Sequence, residues 1–192
     1  MERRSCLLAL ATAACSAAVP GLRAQVAARP PAEVLAELPE ARLRGSGRLR
    51  YFGLHIYDAR LWVGPDYPAA APAPAREDYA AHRFALELEY ARSLDGEKIA
   101  ERSIDEMQRA GSLPEAQRQG WLAFMTKTFP NVAAGSRLTG LHRPGEMARF
   151  YFNGQPAGEL RDSAFAQRFF GIWLGPQTSQ PALRQSLLGG TP

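Results

Sequence analysis

Read at a spacing of two, residues 45–63 (GSGRLRYFGLHIYDARLWV) carry the polar–apolar pattern of strands. Phe52, Leu54 and Ile56 fall on one face, whereas Tyr57, Ala59, Leu61 and Val63 fall on the other. The apolar side therefore changes phase at Ile56–Tyr57, which marks a bulge or a strand covered on both faces. Residues 83–91 (RFALELEYA) alternate without a break, with Phe84, Leu86, Leu88 and Tyr90 against Arg83, Ala85, Glu87 and Glu89. That predicts a strand with one solvated face.

The spacing then lengthens to that of helices. Ser93 or Asp95 caps a first helix running to about Ala110 and stopped by Gly111. Ser112-Leu113-Pro114-Glu115 predicts a capping box at the start of a second helix, whose face carries Trp121, Leu122, Met125 and Phe129 before Pro130 ends it. Residues 135–141 and 148–152 read as strands joined around Pro144-Gly145, and Asn153-Gly154 is a strong hairpin turn. Asp162 or Ser163 caps a third helix with Phe165, Phe169 and Ile172 on its face, and a short last helix spans 181–188. Strands, two helices, strands, two helices is an α+β order: a largely antiparallel sheet with helices packed on one face. Residues 25–38 are rich in Ala, Pro and Glu and fit a loose arm or a first edge strand. Residues 65–75 (PDYPAAAPAPA) predict an extended surface loop.

The first 24 residues stand apart from this pattern. Arg3 and Arg4 precede an uncharged run over 5–19, and Leu22-Arg23-Ala24 offers a small residue at a cleavage point. The segment predicts an export signal that leaves Gln25 as the mature N-terminus. The run is shorter than the roughly 18–20 residues that span a bilayer. An uncleaved anchor and a lipoprotein at Cys15 are the other readings. The chain then divides into a signal (1–24), an arm (25–40) and one domain (41–190), and the expected address is a bacterial periplasm. Both cysteines, Cys6 and Cys15, fall inside the signal, so the mature chain has no thiol nucleophile, disulfide or cysteine metal ligand. Without Arg3, Arg4, Arg23 and Glu2 the net charge falls from +4 to +2, too small for a nucleic-acid binder. His55, His82 and His142 lack the spacing of a helical metal site, and no phosphate-loop, dinucleotide or nucleophile-elbow motif occurs. No metal or cofactor is expected.

Four motifs in order carry a family resemblance: the G-S-G to Y-D-A-R-L-W stretch, Leu94-Asp95-Gly96-Glu97-Lys98, Phe129-Pro130 with Ala134-Gly135-Ser136, and Phe170 to Pro176 with Ser179-Gln180-Pro181. Over residues 41–188 the chain resembles bacterial chalcone isomerase-like proteins. The resemblance implies an open-faced β-sandwich with a ligand cleft between sheet and helices. Plant chalcone isomerases close a flavanone ring with an arginine, a threonine, a tyrosine and an asparagine. By motif these fall on Leu49 (with Arg48 or Arg50 as approximate matches), Tyr57, near Ile99 and near Glu106. Most of these roles are altered, so no catalytic residue is assigned. A tyrosine at position 57 resembles the non-catalytic, fatty-acid-binding branch, in which an arginine and a tyrosine hold a carboxylate.

The candidate ligand-binding residues are accordingly Arg48, Arg50, Tyr57 and His55. A guanidinium binds a carboxylate through two parallel hydrogen bonds, a phenol donates a third, and a histidine close by is protonatable near neutrality. Three readings follow. An exported, non-catalytic protein binding an amphipathic molecule such as a fatty acid calls for an apolar tunnel with one charged end. An isomerase or intramolecular lyase, with Tyr57 as acid/base, calls for Tyr57 and Arg48 converging on a polar cavity. An envelope assembly partner calls for a core with no cavity.

Overall fold

The computed structural model describes residues 28–68 and 79–190. The export segment, and residues 69–75 of the Pro/Ala loop, lie outside the described residues.

Among the described residues six strands form one antiparallel sheet in chain order: β1 (Arg42–Tyr51), β2 (Leu54–Val63), β3 (Phe84–Tyr90), β4 (Arg137–Arg143), β5 (Met147–Phe152) and β6 (Gln155–Leu160). Helix α1 (Ala32–Glu37) precedes them, α2 (Gly96–Gln108) and α3 (Glu115–Thr128) follow β3, and α4 (Ser163–Leu174) and α5 (Pro181–Leu187) close the chain. This is the expected α+β architecture, an open antiparallel sheet with helices laid on it.

The phase change at Ile56–Tyr57 is a bulge. Leu49 pairs with Tyr57 and Arg50 with His55, leaving Ile56 without a partner on β1. Beyond it Tyr57, Ala59, Leu61 and Val63 face α2–α5, in register with Tyr90, Leu88, Leu86 and Phe84. These residues meet Phe150, Phe165, Phe169 and Phe170 in one aromatic-rich core. Asp95 caps α2 by accepting from the Glu97 N–H at 2.9 Å, and Asp162 caps α4 by accepting from Phe165 at 3.0 Å. Gly45 and Gly47 are not a turn but a docking groove for α5. A Cβ on Gly45 would stand 2.1 Å from the Ser186 carbonyl oxygen.

Three local expectations change. Residues 32–37 are a helix rather than an arm or edge strand, and α1 packs on the far face of the sheet. Its Val34 and Leu38 cover Trp62, Ala85 and Leu141, while the other four helices share the opposite face. The predicted solvated face of β3 is therefore partly covered. Ala85 is buried and Glu87 is 4 % exposed, accepting from Trp62 Nε1 at 2.7 Å and from Arg60 at 3.0 Å, while Arg83 and Glu89 remain open to water. The capping box at 112–115 does not form, because Pro114 itself occupies the cap position and Glu115 turns to Arg118 and Gln119.

Charged side chains tie α1 down. Glu33 accepts from Arg137 at 3.0 Å and from Thr139, and Glu37 gathers Arg143, Arg149 and the Tyr151 hydroxyl. Burial works against the Glu37 carboxylate, but those bonds override it and hold it at about 2.

Candidate functional site: a phenol-bearing apolar cleft

Between the sheet and helices α2 and α4 lies a cleft of about 320 Å³. That is the lower end of the range for small-molecule sites, roughly 300–1,000 Å³. Its walls are mostly apolar: Leu49 and Ile56 at the bulged strand pair, Leu88 and Leu138 on the sheet, Ile99 on α2, and Phe129 and Phe169 beyond. The bulge is what makes the site, since it turns both Ile56 and Tyr57 toward the cavity where a regular strand would send one of them away.

Polar groups cluster at one part of this lining. The Tyr57 hydroxyl accepts a hydrogen bond from Trp173 Nε1 at 2.9 Å, which leaves its own proton free to be donated. The Tyr90 ring packs edge-on against it at 5.8 Å, and the Tyr90 hydroxyl makes no hydrogen bond among the described residues. Burial pushes both phenols well above their ordinary value. They stay protonated at any physiological pH and are donors, not bases. Arg102 and Glu106, one helical turn apart on α2, both act electrostatically on Tyr57. The Glu106 side chain is 8 % exposed: one oxygen receives Arg102, and the other lies 3.6 Å from Arg109 Nε without a hydrogen bond. Lys98, paired with Glu101, and Arg102 are themselves largely exposed at the rim.

The sequence-predicted residues separate here. Tyr57 lines the cavity, but Arg48, Arg50 and His55 do not. Leu49 and Tyr51 point into the cleft, so strand alternation sends Arg48 and Arg50 to the other face. There Arg48 binds Asp58 at 2.7 Å, and His55 Nε2 lies 3.3 Å from the same carboxylate. Burial opposes that carboxylate's charge, yet Arg48 holds it below its ordinary value. The expected arginine–tyrosine clamp across β1 and β2 is thus not formed, and the guanidinium that acts on Tyr57 is that of Arg102 from α2. The sequence puts Tyr90 on the apolar face of its strand and Trp173 in a family motif, but it assigns no site role to either, nor to Lys98, Arg102 or Ser103. Alternation puts Tyr90 on the apolar face of its strand, and the pairing of β2 with β3 is what sets it beside Tyr57.

A family model for chalcone isomerase-like proteins matches residues 27–189. The chain belongs to the chalcone isomerase-like family. An uncharacterised protein of Haemophilus influenzae is 30 % identical to it over 106 residues, covering 55 % of this chain and 52 % of that one. The chain thus spans about half the length of this curated relative. Among solved structures, a fatty-acid binding protein of Arabidopsis thaliana superposes with a TM-score of 0.59 at 15 % identity, over 78 % of this chain and 87 % of the other. That likeness is one of fold. In this chalcone isomerase-like chain, the positions matched by motif to the isomerase residues (Leu49, Tyr57, Ile99 and Glu106) all line the one cleft. Of Leu49 and its neighbours Arg48 and Arg50, it is Leu49 that lines the cleft. Two of the four positions are apolar.

Proposed function

We propose that the protein binds a small amphipathic acid of the fatty-acid type. Its carboxylate would lie at the Tyr57 and Tyr90 hydroxyls within reach of Arg102, and its hydrocarbon along the Leu88, Leu138 and Phe169 side of the cleft. The observation that carries this reading is an apolar cavity with two protonated phenols and a guanidinium gathered in its lining. Neutral donors aimed into apolar space stabilise an anion without the cost of a second buried charge. The cavity favours this reading over a structural partner with a self-filled core. An isomerase or lyase is the second reading, favoured by the buried, half-bonded Glu106 carboxylate as a candidate base. The pattern of Arg3-Arg4, the uncharged run and Leu22-Arg23-Ala24 supports an exported protein that acts in the periplasm.

Native mass spectrometry of the protein purified from its own host, followed by organic extraction, tests both parts. A chain beginning at Gln25 with a stoichiometric small carboxylate is expected, and Arg102→Ala should weaken uptake of decanoate about tenfold. An empty protein that takes up no added decanoate overturns the binding reading, and an intact mass that includes residues 1–24 overturns the cleaved export signal.

A further inference from the structure

The β1–β2 hairpin turns at Phe52-Gly53 with φ of +46° and +78°. This is the twist-matched two-residue turn, which demands the left-handed region at both positions and so favours Asn-Gly. The same chain makes that choice in its other tight hairpin. Asn153-Gly154 has φ of +48° and +82°, and the Asn153 side chain accepts from the Arg137 N–H at 2.8 Å. At the first hairpin a phenylalanine occupies the equivalent place, where a bulky side chain is a conformational outlier. It recovers little from the fold, because Phe52 is 88 % exposed and its one ring contact among the described residues is the neighbouring Tyr51, edge-on at 4.5 Å. Tyr51 and Leu54 beside it are each about half exposed. A strained, water-facing phenylalanine is explained by something outside the chain.

The surroundings favour one occupant. The tip stands in open space, with Phe52 88 % exposed and nothing within 4 Å of a Cβ on Gly53, so it inserts rather than receives. Behind it stands Arg50, exposed and without a hydrogen-bond or ion-pair partner among the described residues. Arg48 next along the strand is exposed but held by Asp58. Aromatic and aliphatic side chains at a tip with a cation just behind them match the layering of a bilayer interface, where rings enter the headgroup–acyl boundary and arginines meet anionic headgroups. The tip also adjoins the cleft, since Tyr51 lines it. We infer that the Tyr51–Leu54 hairpin tip docks onto an anionic lipid surface, bringing the mouth of the cleft to the membrane. Docking stands apart from the ligand reading and is measurable whether or not the cleft is filled.

The test is co-sedimentation of the protein with vesicles of equal parts phosphatidylcholine and phosphatidylglycerol, and with phosphatidylcholine alone. Wild type should sediment with the mixed vesicles. Phe52→Asn should weaken that partitioning by about tenfold or more, the removal of one large apolar group from the interface. Its melting temperature should equal or exceed that of wild type, because Asn suits the turn. Arg50→Glu should lower binding to the anionic vesicles and leave the weaker binding to phosphatidylcholine unchanged. Failure of wild type to sediment with either vesicle overturns the inference, and a protein partner then becomes the reading for the tip. Undiminished sedimentation of Phe52→Asn overturns it too, as does a lowered melting temperature, which would show that Phe52 serves the fold. Decanoate uptake measured on the same variants separates this outcome from failure of the cleft.

Discussion

Removing a single oxygen tests the polar end of the cleft. Tyr57→Phe preserves the ring, its burial and its edge contact with Tyr90, and deletes only the hydroxyl that accepts from Trp173 at 2.9 Å. The indole N–H is then left without a partner inside an apolar wall, a loss of about 1–3 kcal/mol. For a domain of this size each kcal/mol lowers the melting temperature by roughly 2–4 °C, so a fall of about 2–12 °C is expected by calorimetry. The same substitution removes a donor to the carboxylate. A hydrogen bond to a charged group contributes about 1.5–3 kcal/mol, so decanoate should bind roughly ten- to a hundredfold more weakly in isothermal titration. Trp173→Phe added to Tyr57→Phe removes the orphaned donor, and the double variant should regain much of the stability while staying defective in binding. Because burial keeps the phenol protonated, this binding contribution should be flat from pH 6 to about pH 9. An unchanged melting temperature together with unchanged decanoate affinity would refute the assignment of Tyr57 as the cleft's donor.

Two further outcomes test how the fold supports the site. Glu37 is depressed from 4.5 to about 2, so its stabilisation is complete above about pH 4.5 and is lost as pH falls toward 2. Urea melts should show Glu37→Gln less stable than wild type by about 3 kcal/mol at pH 7, with the gap closing toward pH 2; a constant gap would contradict the linkage. Gly45→Ala would press a methyl group against the Ser186 and Leu187 carbonyls at 2.1 and 2.5 Å, both backbone atoms that cannot swing aside. A loss of about 3 kcal/mol is expected, with hydrogen-exchange protection falling first in α5, and full protection there would show that the helix can shift at no cost.

Most of the elements were legible in the chain because they rest on local rules. Alternation in 84–90 predicts β3, Ser93 or Asp95 and Asp162 or Ser163 predict the starts of α2 and α4, and Asn153-Gly154 predicts its hairpin, each from the residues within a turn or two. The same local logic caught the irregularity at Ile56–Tyr57 while leaving its kind open. Phe52-Gly53 does not read as a turn, because phenylalanine is not a turn residue.

What only the tertiary structure decided is what covers each face. Glu87 and Trp62 are buried together because α1 crosses the outer face, held by Glu33 and Glu37 to residues more than a hundred positions away. No window of sequence contains that contact. The site turned on a single residue of register. With Ile56 bulged, Leu49 faces the cleft and the flanking arginines face water, so the guanidinium that joins Tyr57 comes from another element, Arg102 on α2. A one-residue slip in a period of two exchanges the faces completely, and neither arginine's own neighbours record which way the slip went.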